Sequence, residues 1–294
     1  MVSSAPELLA IGHVTRDIHP DGTFSLGGTV TFAALVANRL GLAAGVVTSA
    51  DAELAETLPA CLPHIALHIQ PSAQTTTFAN FYQGGLRTQY LYTRGAPLQL
   101  IDVPSDWLEA PIVLFAPLAQ ELDTVFVTQF PRQSGSILAA TPQGWLRRWD
   151  ADGRIWPTPW LDADQVLPLL DVLILSHDDL LSFADGNRSK VDTILLHWSK
   201  LVPLLVATDG QHGATLFEYG IIHHFPAYPA QEVDPTGAGD VFAAAFLTHL
   251  FRHGNPGRAV DFANCTAAFS VEQLGTYGIP TQAMVEQRLH PEQP

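Results

Sequence analysis

Residues 171–208 read DVLILSHDDLLSFADGNRSKVDTILLHWSKLVPLLVAT. Two solid apolar blocks, 172–176 and 204–208, flank a helical pattern at 192–200. A strand with one face in water alternates apolar and polar residues, whereas a strand covered on both faces reads as an unbroken apolar run. These blocks therefore point to a parallel sheet with helices packed on either side. The rhythm continues outward: apolar runs stand at 8–13, 45–49, 112–116 and 136–140, and helical patterns at 31–40, 52–58 and 164–169. The expected fold is α/β, three-layer and doubly wound, with a mostly parallel sheet.

Two stretches depart from that rhythm. Residues 19–26 carry an Asp21-Gly22 turn signal, and residues 75–82 and 86–93 flank Gly84-Gly85, a hairpin signature. They predict a small antiparallel sheet built from segments near 15–26 and 75–94. Such an excursion serves as a lid over a site, as a homodimer contact that covers an exposed sheet face, or as a surface hairpin without a role.

Composition narrows the function classes. The chain has 294 residues, 47% hydrophobic and 15% charged, enough for a full core and unlike a disordered or disulfide-stapled chain. Its 29 acidic and 14 basic residues give a formal charge of −15, which repels nucleic-acid backbones and requires locally arranged donors for any phosphate ligand. Cys61 and Cys265 form no framework. Residues 1–7 lack the pattern of a signal peptide, and no apolar run is long enough for a bilayer, so a cytoplasmic protein without membrane partners is expected.

The chemistry concentrates at 234–240, DPTGAGD, followed by VFAAAFLTHLFR at 241–252. Pro235, Gly237 and Gly239 mark a loop, and the following residues form helices well. The loop thus opens a helix whose first N–H groups lack intrahelical partners, and small residues let an anion approach them. Asp240 in the first turn has two readings: compensation of the helix dipole, or a general base for a hydroxyl attacking a bound phosphoryl group. No P-loop, dinucleotide fingerprint, HExxH or GxSxG is present.

DPTGAGD with its alanine-rich helix resembles the C-terminal signature of the ribokinase-like (phosphofructokinase B) carbohydrate kinases. GHVTRDI (12–18), LGGTVTFAALVANRLG (26–41), ATDGQHGATLF (207–217) and FANCTAAFSVEQLGT (262–276) resemble further family segments in the same order. The resemblance spans almost the whole chain and implies one ribokinase-like kinase domain over 1–294. It implies transfer of the ATP γ-phosphoryl group to a hydroxyl of a sugar, polyol or nucleoside, with Asp240 as base and the amides of Gly237, Ala238 and Gly239 as anion hole. Asp17, Gly27 and Gly28 would bind acceptor hydroxyls. Thr208, Gly210 and Gly213 would line the nucleotide phosphates and ribose, Asn264 would lie near the base, and Asp234 and Thr236 near a potassium ion.

Departures bear on metal and substrate. The family's Asn-x-x-Glu motif, which organises Mg²⁺, is replaced by Ser176-His177-Asp178-Asp179. The shorter Asp179 would reach Mg²⁺ through water. Phe32 stands where the family has an asparagine and supplies an apolar wall. With Gln143-Gly144-x-x-Arg147 it resembles the branch of myo-inositol and nucleoside kinases. Arg147 follows a strand end and is a candidate partner of the transferred phosphate, and Arg87 on the hairpin a candidate for the acceptor; Arg148 carries equal charge beside Arg147, and the alternative is that both of these neighbours are solvated. Cys61, His64 and His68 have tolerable zinc spacing, but Pro63 and the following strand-like alternation favour ordinary loop positions. The tryptophans near 145–160 read as loop packing. A non-catalytic relative, retaining the fold for ligand binding or assembly, is the competing reading, opposed by the retention of Asp17 and Asp240.

Overall fold

The computed structural model describes residues 5–83, 86–182 and 184–290. A nine-stranded sheet runs Ile221–Phe225, Ala214–Glu218, Leu204–Thr208, Val172–Ser176, Ile137–Ala140, Ile112–Phe115, Leu8–Ile11, Ala44–Ala50 and Ala66–Pro71. All its pairings are parallel except those that add the strands at 214–218 and 221–225. From Leu8–Ile11 the chain moves outward one way through residues 44–71 and the other way from residue 112, so strand order reverses beside Leu8–Ile11. In open α/β sheets, ligands gather at the strands' carboxyl ends at such a point.

The apolar blocks are solid because both faces are buried. Leu8, Ala10, Val172 and Ile174 join a core with helices Thr29–Arg39, Ala238–His253 and Pro256–Ser270. Leu9, Ile11, Leu173 and Leu175 face the opposite core, with helix Arg188–Trp198. Ala243, Ala244 and Ala245 are fully buried, their small side chains letting helix Ala238–His253 lie close to its neighbours. Trp145 and Trp160 stack 4.7 Å apart, and Trp160 meets Trp198 edge-on, so these rings pack the protein's own interior. Among the described residues no helix is long and apolar enough to cross a membrane.

A second, four-stranded sheet runs Phe24–Gly27, Thr15–Ile18, Thr77–Gln83 and Leu86–Thr93. Its two hairpins are antiparallel, but the hairpins join in parallel through residues 16–18 and 77–79. They come from separate excursions of the chain, each leaving the main sheet in the same direction. Asp21-Gly22 forms the expected turn, with Gly22 at φ +84°; Gly84-Gly85 lie outside the described residues.

The base of the small sheet is clamped by buried polar groups. His13 lies within 2.6 Å of the Thr76 hydroxyl and 2.9 Å of both the Ser49 hydroxyl and the Ala96 carbonyl. Asp51 caps helix Ala52–Cys61 through the Leu54 N–H and accepts bonds from the Thr75 hydroxyl at 2.7 Å and from Arg16 at 2.8 Å. Burial opposes ionisation of Asp51, but these donors outweigh it and hold the carboxyl below its usual range. Asp51→Ala is expected to cost about 2 kcal/mol in urea denaturation at pH 7, with a smaller cost at acid pH. A depressed carboxylate contributes stability above its unfolded pKa and loses it as pH falls through the folded value. A pH-independent cost would refute the assignment.

Candidate active site

The carboxyl ends of three adjacent strands bring Thr141, Ser176 and Thr208 to one cavity, and the DPTGAGD loop closes its side. Gly237 caps helix Ala238–His253 at φ +77°, and a Cβ there would stand 2.4 Å from the Phe32 ring. The left-handed backbone and the ring against it both require glycine. Phe32 is buried and lines the cavity. A Cβ at Gly239 would point into open space, and Gly239 lines the cavity.

The first helical bond runs from the Val241 N–H to the Gly237 carbonyl at 2.8 Å. The Ala238 N–H is already committed to the Pro235 carbonyl at 3.2 Å, in the turn that closes the loop. This corrects the expected set of donors. Gly237, Gly239 and Asp240 line the cavity and Ala238 does not.

Asp240 sits at the loop's inner edge with part of its surface open to the cavity. Burial pushes its carboxyl up to about 6, and the neighbouring carboxylates of Asp179 and Asp17 add to the rise. A hydrogen bond from Thr29 and the charge of Arg147 work the other way. Thr29 is a site residue that the sequence reading missed. It follows the double glycine and opens helix Thr29–Arg39, a local role that hid its reach toward Asp240.

Asp17 lines the same cavity and accepts a bond from the Thr15 hydroxyl at 3.2 Å. Gly27 stands behind it: a Cβ there would fall 2.3 Å from Asp17 Oδ2 and 2.7 Å from Thr15 Oγ1. Gly28, at φ +97°, turns the chain into helix Thr29–Arg39 and lines the cavity. Arg147 also lines it, its guanidinium 5.8 Å from the centre of the Phe78 ring. The Arg87 side chain lies outside the described residues. The cavity measures about 480 Å³ and joins Asp17 to Asp240 and the loop glycines without interruption.

The expected metal and nucleotide residues divide differently. Asp179 lines the cavity, but its oxygens accept bonds from the Ser176 N–H at 3.1 Å and Gln143 Nε2 at 3.3 Å. Ser176 and Asp179 form a capping box on helix His177–Leu181. Among the described residues no group of three or more His, Cys, Asp or Glu could hold a metal ion. The donor set therefore fits Mg²⁺ only as a water-mediated neighbour of Asp179 brought in with a phosphate ligand. Asp234 accepts the Thr236 N–H at 3.0 Å and the Gly275 N–H at 2.9 Å. Burial opposes its ionisation, but the bonds from Thr236 and Gly275 hold the carboxyl below its usual range. They pin the loop without calling on a cation.

Thr208 reaches the site cavity, whereas Gly213 lines a separate one of about 460 Å³. A Cβ at Gly213 would lie 2.0 Å from the Phe225 carbonyl oxygen. Gly210 turns the chain in the open at φ +52°. The Asn264 amide is buried and donates to the Pro226 carbonyl at 3.1 Å. The residues expected at ribose and base thus pack on the chain segment at 225–226.

A doubly wound sheet with a small second sheet over its strand ends is the ribokinase-like fold. Residues 146–282 match the pfkB family carbohydrate kinase model. A pyrophosphate-dependent kinase in the ribokinase family, solved with a pyrophosphate analog and myo-inositol, is 20% identical, with a TM-score of 0.80 over 96% of this chain and 99% of its own. The fold is ribokinase-like, and the match to the pfkB family carbohydrate kinase model spans just under half of the chain. A probable fructokinase-5 of Arabidopsis thaliana is 29% identical over 161 residues, half of this chain and half of that protein. The cytidine kinase of Thermococcus kodakarensis is 24% identical over 272 residues, 85% of this chain and 90% of its own.

Proposed function

We propose that the protein transfers the terminal phosphoryl group of ATP to a hydroxyl of a sugar, polyol or nucleoside. One observation supports this reading: a single cavity is lined by two carboxylates, Asp17 and Asp240, the latter pushed up to about 6 by burial, together with Gly237 and Gly239 of the helix-opening loop. Asp17 orients the acceptor, since an ionised carboxylate accepts two hydroxyl bonds. Asp240 takes the proton of the attacking hydroxyl as its oxygen bonds to the γ-phosphorus and the bond to the ADP oxygen breaks. The amides and Arg147 stabilise the charge on the transferring oxygens. Mg²⁺, when bound with the donor, supplies further charge neutralisation. Phe32 and Phe78 keep water from the reacting centre.

The donor has a second reading. Gly213 and Asn264 pack against the chain itself, and a similar fold belongs to a kinase described as pyrophosphate-dependent. Both favour a donor recognised by its phosphates alone. The test supplies the purified protein with Mg²⁺ and either ATP or pyrophosphate, over sugars, cyclitols and nucleosides, and follows the phosphorylated acceptor by mass spectrometry. Transfer from ATP at least tenfold more efficient than from pyrophosphate supports the first donor, and the reverse order the second. No product from either donor, with acceptor still bound, would replace the kinase reading with that of a non-catalytic ligand-binding protein.

A further inference from the structure

Arg147 opens an antiparallel ribbon, Arg147–Trp149 with Ile155–Pro157, that leads away from the cavity it lines. The tip of the ribbon meets the edge strand of the small sheet, Leu86–Thr93. There the Leu91 N–H donates to the Gly153 carbonyl at 2.8 Å, and Tyr90 bridges to Arg154. Gly153 stands at φ +85°, and a Cβ on it would fall 2.4 Å from the Leu91 carbonyl oxygen, so only glycine lets the two backbones meet. Beside this contact, Phe78 and Leu91 of the small sheet are buried with Leu118, Ala119, Trp149 and Ile155 in an apolar cluster distinct from the two cores of the main sheet. Phe78 and Leu118 belong both to that cluster and to the cavity wall, and the Arg147 guanidinium lies 5.8 Å from the Phe78 ring.

We propose that Gly153 is a positioning residue for phosphoryl transfer: it docks the ribbon on the small sheet so that the two move as one unit, and an acceptor held against that sheet brings Arg147 to the transferring oxygens. The inference rests on the kinase reading and on the role of Arg147 within it. Separating the members of a buried cluster exposes apolar surface, so the sheet and the ribbon resist moving apart. Gly153 does not line the cavity and acts only through the arginine at the ribbon's other end. Its reach is nevertheless large, because a displacement of about 1 Å in a charge-stabilising group can cost up to a hundredfold in rate.

The first measurement needs no turnover. Hydrogen–deuterium exchange is followed in the wild type and in Gly153→Ala, with D-fructose, myo-inositol or cytidine added and no phosphoryl donor. A bound acceptor is expected to slow exchange by roughly threefold or more in both strand Thr77–Gln83 and the ribbon of the wild type, but in the strand alone of the variant. The second measurement is a mutant cycle with the donor and acceptor that the wild type uses. Gly153→Ala should lower kcat roughly tenfold with the acceptor KM within about twofold. Ile155→Ala, which thins the cluster without straining the backbone, should act in the same direction. Neither should lower kcat by more than about twofold once Arg147→Met is present, whereas a merely structural fault would reduce both backgrounds alike. Slowing confined to the strand in the wild type, slowing of both segments in the variant, slowing in neither, or equal losses with and without Arg147 would overturn the proposal. Slowing of both segments in the wild type, without transfer from any donor, would uphold the docking and overturn the kinase reading instead.

Discussion

Asp240→Asn is expected to lower turnover by roughly 10²- to 10⁴-fold while leaving donor affinity within about twofold, because it removes proton acceptance and little else. The wild-type pH profile should carry the same signature. A base works when deprotonated, so kcat/KM should rise with pH through about 6, where burial has placed the Asp240 carboxyl, and level off above 7. Stability should move the opposite way. The folded-state value lies above the unfolded one, so the folded protein binds the extra proton between the two and loses stability as pH rises across that window. Asn keeps the shape without the buried charge. The variant should therefore be more stable than wild type at pH 7, by on the order of 2 kcal/mol, and no more stable near pH 3. This outcome separates the two readings of an acidic residue in a first helical turn. A carboxylate serving the helix dipole would make Asn destabilising at neutral pH, and that result, with turnover retained, would remove Asp240 from the chemistry.

Legibility followed the range of the interactions. The strands at 172–176 and 204–208 stood out because burial on both faces leaves a continuous apolar run. The strand Ala66–Pro71 did not, since it closes the sheet's edge and stays partly exposed. The helical pattern read at 52–58 runs on to Cys61, with Pro59 inside its last turns. Asn187 caps the helix read as beginning at 192 and moves its start to Arg188.

At the site, residues with local jobs were legible and those with distant partners were not. Gly237 announces a helix start, but the capture of the Ala238 amide by Pro235 depends on how the loop turns. Ser176 and Asp179 obey a capping-box spacing as well as a displaced metal motif, and sequence cannot rank two uses of one carboxylate. The partner of Asn264 lies 38 residues away, at Pro226. No periodicity encodes that contact.

The double glycine offers the second large effect, because its two members are needed for different reasons. Gly27 keeps φ outside the left-handed region, so alanine meets no backbone strain there. What alanine meets is Asp17, the anchor proposed for the acceptor, with its Cβ built 2.3 Å from Asp17 Oδ2. The carboxylate end must swing away, and a hydroxyl bound to it loses its place. Gly27→Ala should therefore lower kcat/KM for the acceptor by roughly tenfold to a hundredfold, mostly through KM, with donor binding unchanged and stability altered by less than about 1 kcal/mol. Gly28 stands at φ +97°, and its Cβ would fall 2.5 Å from the His13 carbonyl oxygen. That neighbour is backbone, held through the buried His13 side chain, and has nowhere to move. Gly28→Ala should cost more than about 2 kcal/mol in urea denaturation and reduce activity through loss of folded protein. Were the two variants to behave alike, both losing stability or both losing only acceptor affinity, Asp17 would not be the residue that Gly27 makes room for.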